Sequence, residues 1–130
     1  MDDAEFLSML EAATLAPADF NHRAHVRAGF LILGEAPSFG AALDRMERAI
    51  RHFAKAHGKE GLYHETITVA FMALINARRV AQPFEDWPAF ATANPDLFEP
   101  GLLDRYYPKG FLASPAARAA FHLPEVRGAA

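Results

Sequence analysis

From Asp2 to Val80 the apolar residues recur at helical spacing, and no stretch alternates with a period of two. That pattern excludes a sheet as the organising element and predicts an all-α fold. Asp2 to Thr14 reads as a first helix, with Phe6, Leu7, Met9, Leu10 and Ala13 on one side and acidic residues where the helix dipole favours them. Pro17 breaks it. Asp19 is the expected N-cap of a second helix running to about Leu33, with Gly34 as its stop. Ser38 or Phe39 opens a third helix reaching His57 and ended by Gly58; Leu43, Met46, Ile50, Phe53 and Ala54 form its buried stripe. A fourth spans about Leu62 to Val80, with Ile67, Phe71, Leu74 and Ile75 facing inward.

The chain changes character after Pro83. Most prolines and most bulky rings lie there, and short helices are expected at about Phe84–Ala93, Leu97–Tyr106 and Pro115–Phe121. Ser114-Pro115 carries a cap followed by a proline at the first helical position. Trp87, Phe90, Phe98, Tyr106, Tyr107, Phe111 and Phe121 are too much apolar surface to leave in water, at roughly 150–250 Å² per ring. The expected architecture is four main helices in an up-down bundle, with this Pro/aromatic segment packed over one face or end. Such a seal is also a way to make a pocket.

Size and composition bound the rest. At 130 residues, 52% of them apolar, the chain is read as a single helical domain over 1–130. A formal charge of −3 argues against nucleic acid as a partner. No apolar run approaches the roughly 18–20 residues a membrane span needs. The acidic start "MDDAEFLSML" lacks a signal-peptide pattern, and there is no cysteine, so neither disulfide nor thiolate chemistry is available. Cytoplasmic location is the expectation.

Two histidine clusters carry the functional question. "FNHRAHVR" puts His22 and His25 three residues apart, hence on one helix face with Val26, Gly29 and Leu33. Gly29 in mid-helix suits a close approach by another helix or a ligand. "YHETIT" puts His64 on a face with Ile67, Thr68, Phe71 and Ile75. In an up-down bundle the second and fourth helices are parallel, so both clusters fall at the same end. Three converging imidazoles can hold Zn, Fe or Cu, at roughly 2.0–2.1 Å per bond for zinc. Asp19 or Glu65 is a candidate further ligand, Tyr63 a hydrogen-bond donor to a bound molecule, and Thr66 or Thr68 a group that orients an imidazole.

Two other readings of His22, His25 and His64 stand beside the metal. They are structural residues that cap or line a helix turn, or they form a metal-free acid–base site with Tyr63. His52, His57 and His122 are expected outside the site. The stripe Arg45, Arg48, Arg51 and Lys55 reads as a solvated face countered by Asp44 and Glu47, and Arg27, Arg78 and Arg79 as salt-bridge partners. No phosphate-binding glycine loop and no GxSxG elbow occurs.

The motifs "FNHRAHVRAGFLIL", "RHFAKAHG", "YHETITVAF", "NPDLFEPGLLDRYY" and "LASPAARAAFHLP" resemble those of a group of small helical bacterial proteins of about this length. The resemblance covers nearly the whole chain, and "YHETIT" is its most specific piece. It implies that the motifs sit together in one domain and implies no activity, cofactor or substrate. Two functions therefore remain open. One is a small helical enzyme or metal-dependent protein acting on a small molecule through His22, His25, His64 and Tyr63. The other is a non-catalytic binding module whose aromatic segment completes a groove or packs on a second copy as a homodimer.

Overall fold

In the computed structural model, which describes residues 1–124, the chain is helical and no strand occurs among those residues. The helices are α1 (Asp3–Glu11), α2 (His22–Glu35), α3 (Phe39–Ala56), α4 (Glu65–Ala81), α5 (Trp87–Ala93) and α6 (Pro115–Ala119). Single 3₁₀ turns at Pro17–Asp19, Glu60–Leu62, Pro95–Phe98, Leu102–Arg105 and Phe111–Ala113 connect them.

Each helix begins at a side chain that accepts the backbone N–H three residues on. Asp2 takes that of Glu5, Asn21 that of Ala24, Ser38 that of Ala41, Asp86 that of Ala89 and Ser114 that of Ala117. Each such cap contributes about 1 kcal/mol. His64 does the same for α4, with Nδ1 accepting from the Ile67 amide at 3.1 Å.

These caps correct several expected boundaries. Asn21, not Asp19, opens α2, because Asp19 closes the preceding 3₁₀ turn and stays exposed. Gly34 does not stop α2, which continues to Glu35. α4 starts after His64 rather than at Leu62. α1 ends at Glu11, where Ala13 takes a left-handed φ of 61° and turns Leu15 into the core. The expected helix over Leu97–Tyr106 is interrupted by Pro100 and by Gly101 at φ 79°, leaving two short turns.

α2 is central, packing on α3 along one side and α4 along the other, while α1 lies on α3. The His22 ring meets Phe71 edge-on at 4.9 Å; a Cβ on Gly29 would lie 3.0 Å from both Met72 Sδ and Ile75 Cδ1; Gly34 faces Arg79. The contacts climb both helices together, so α2 and α4 run in the same direction. Ile32, Met72, Ile75, Phe90 and Leu97 are essentially inaccessible to water. Each contributes about 1.5–3 kcal/mol by that burial.

The C-terminal segment is tied to the start of α4 by polar contacts. Arg118 donates to the carbonyls of Gly61, Leu62 and Tyr63. The buried Thr66 hydroxyl donates to the Ala120 carbonyl at 2.9 Å and accepts from the His122 amide. Tyr107 donates to the His122 carbonyl at 2.6 Å. Not all seven rings join the seal: Trp87, Phe90 and Tyr107 are buried, Phe98 and Phe111 are half-buried, and Tyr106 and Phe121 are exposed. Arg27 pairs with Asp3, Arg78 with Asp96, Arg48 with Asp44 and Arg51 with Glu47, as expected; Arg45 instead turns from the solvated stripe to Glu11 and Glu35, and Arg79, with no ion pair among the described residues, lies 5.6 Å over the Phe30 ring. No described helix is long and apolar enough to cross a membrane.

Candidate functional site

A cavity of about 210 Å³ lies between α2, α3 and α4. Its walls are apolar, from Val26 on α2, Met46 and Ile50 on α3, and Ile67, Phe71, Met72 and Ile75 on α4. Its polar lining comes from His22, His25, Tyr63, His64 and Thr68. The four residues singled out in the sequence thus border one space. α2 and α4 both start at this end, and Gly29 lets them approach closely enough to close its floor.

The imidazoles are not equivalent. His64 uses both nitrogens: Nδ1 accepts from the Ile67 amide, and Nε2 lies 2.6 Å from the Leu112 carbonyl, which can only accept. The ring is therefore the neutral Nε2–H tautomer, and neither nitrogen has a lone pair to spare. His22 donates Nε2–H to the Leu97 carbonyl at 2.8 Å, so that nitrogen has no lone pair to offer. His25 stacks on Phe20, centroids 3.8 Å apart and planes 11° from parallel. Among the described residues its nitrogens have no hydrogen-bond partner. Burial, with a smaller repulsion from His22, pushes the His25 pKa down to about 4, so its ring is neutral at physiological pH.

The three-histidine metal centre is not formed. Among the described residues no group of three or more His, Asp or Glu is placed to hold a metal. The reason is local: His64 spends its nitrogens on the α4 cap and on Leu112. The suggested carboxylates do not help. Asp19 lies on a different groove, beside Arg23 and Trp87. Glu65 turns to Tyr63, whose hydroxyl donates to it at 3.0 Å.

The Tyr63 hydroxyl is thereby directed at Glu65, and its pKa is pushed up, first by burial. The Arg51 guanidinium lies 4.0 Å over the Tyr63 ring. The Glu65 carboxyl is held above its usual range, first by burial and then by the neighbouring Glu47 carboxylate. Thr68 and Thr66 orient no imidazole. Thr68 donates to the His64 carbonyl at 2.8 Å, and Thr66 serves the C-terminal segment. His52, His57 and His122 stay outside the cavity; the buried Nε2 of His57 has no partner among the described residues.

Sequence reasoning missed the contribution of backbone carbonyls. Leu97 and Leu112 fix two of the three rings, and nothing in a side-chain pattern marks them. It also missed Phe20, although an aromatic five residues before His25 with a helix start between them was a usable signal. No family model, curated protein or solved structure matches this chain.

Proposed function

We propose that the protein binds a small, largely apolar molecule in the cavity between α2, α3 and α4, with His25 as the polar group that recognises it. The parallel run of α2 and α4 that supports this site is the one an up-down ordering of α1 to α4 would give. The observation that carries the reading is the neutral His25 imidazole, without a hydrogen-bond partner among the described residues, lining an apolar space of about 210 Å³. A cavity of about 150 Å³ already holds benzene, so a ring or short chain fits. A neutral imidazole offers one donor and one acceptor to such a ligand. The acceptor also makes His25 the group best suited to take a proton from a bound hydroxyl. His64 and Tyr63 hold the wall rather than contact chemistry, and a bound metal is not needed.

Calorimetry with phenol and toluene tests it. Both should bind, phenol more tightly, and His25→Phe should abolish the difference while His52→Phe leaves it. Failure of both ligands to bind, or an unchanged phenol preference in the His25 variant, contradicts the reading.

A further inference from the structure

The central cavity does not stand alone. A second space of about 250 Å³ lies on the far side of His25 and Tyr63, sharing with the first the walls His25, Ile50, Leu62 and Tyr63. Its remaining lining is Pro17, Phe20, Phe53, Ala54 and Lys59. A third, of about 350 Å³, shares His22, Ile67 and Phe71 with the first and opens past Glu99 and Asp104. The histidines thus stand at two internal borders: His25 between the central and Lys59 spaces, His22 between the central and acidic ones.

The two ends differ in charge. Lys59 has no ion-pair partner among the described residues, and no carboxylate lines its space. At the other end Asp104 is unpaired among the described residues, while Glu99 is held by Arg105 at 3.0 Å. An anion is favoured at the Lys59 end and repelled from the other. Between them the walls are apolar. Leu62, 68% exposed on a single 3₁₀ turn, covers the border shared by the first two spaces, where it can yield to a ligand crossing it.

We infer that the ligand is a medium-chain carboxylate, its hydrocarbon chain in the central cavity and its carboxylate at Lys59, passing between His25 and Tyr63. This deepens the small-molecule reading above and rests on it. The chain satisfies the apolar walls. The ammonium of Lys59 pairs with the head group at a half-open mouth, where the carboxylate keeps part of its hydration. The acidic far end fixes the direction of insertion.

Titration calorimetry with octanoate, octanol and octylamine separates the possibilities. Octanol reports the cavity alone, and its retained binding shows that a variant is folded. Octanoate should bind about tenfold more tightly than octylamine, and Lys59→Glu should reverse that order with octanol unchanged. Asp104→Lys should leave octanoate no weaker. If octanol binds but octanoate has no advantage, or the advantage survives Lys59→Glu, the carboxylate assignment is wrong and the cavity stands. If octylamine binds best and loses this with Asp104→Lys, the direction of insertion is overturned. If none of the three binds, the small-molecule reading fails with it.

Discussion

His64 and Leu112, 48 residues apart in the chain, are joined by a 2.6 Å hydrogen bond from the imidazole Nε2 to the backbone carbonyl. The same ring caps α4 through Nδ1. One side chain thereby ties the first turn of a cavity-lining helix to the C-terminal segment. This is why the "YHETIT" histidine reads like a ligand in sequence and behaves as a structural residue in space.

That double role predicts an order of stability. His64→Asn keeps a capping oxygen and loses the bond to Leu112; His64→Ala loses both. Each loss costs about 1 kcal/mol, so urea unfolding should rank wild type above the Asn variant and the Asn variant above the Ala variant. An Asn variant no more stable than the Ala variant would show that the cap contributes nothing.

His25 predicts a pH dependence. Its folded pKa is about 4 against 6.5 for the free side chain. Between these values the unfolded chain binds the proton and the folded chain does not, so stability falls as pH drops from 6.5 toward 4. Above 6.5 this contribution is fully present and constant. The loss is at most about 3 kcal/mol. Denaturation midpoints for His25→Gln should lack this part of the acid slope, while His52→Gln should retain it.

Gly29 sits at the closest approach of α2 and α4. Alanine there gains about 1 kcal/mol of helix propensity. It also brings a methyl to 3.0 Å from Met72 and Ile75, two flexible side-chain ends that line the cavity and can yield into it. Gly29→Ala should therefore change stability by less than about 1 kcal/mol yet weaken phenol binding severalfold. Equal loss in stability and binding would mean that the helices, not the cavity, take up the methyl.

Much of this was legible in sequence because it is written in side chains. Ser38, Ser114 and the apolar stripe of α3 mark their elements directly, and the meeting of His22, His25 and His64 at one cavity follows from helical spacing plus parallel helices. Other features depend on backbone. Asn21 displaced Asp19 because the Pro17 turn consumed the earlier position, and a histidine cap on α4 lies outside the usual Ser, Thr, Asp and Asn set. The metal expectation could not take account of ring nitrogens bonded to Leu97, Leu112 and the Ile67 amide, because those bonds are not written in the sequence.

The arrangement of the three histidines carries its own prediction. Protein equilibrated with Co²⁺ and desalted should show no visible d–d absorption from a three-histidine site. A stoichiometric band that disappears with His64→Asn would require the ring to leave both of its bonds.

The most direct test of the cavity itself is a crystal structure determined under xenon pressure, because xenon enters dry apolar space regardless of which ligand the protein serves. Xenon should appear between Ile50, Phe71, Met72 and Ile75, on the apolar side of His25. A space closed by collapse of those side chains, or filled by ordered water bonded to His25, would contradict the account.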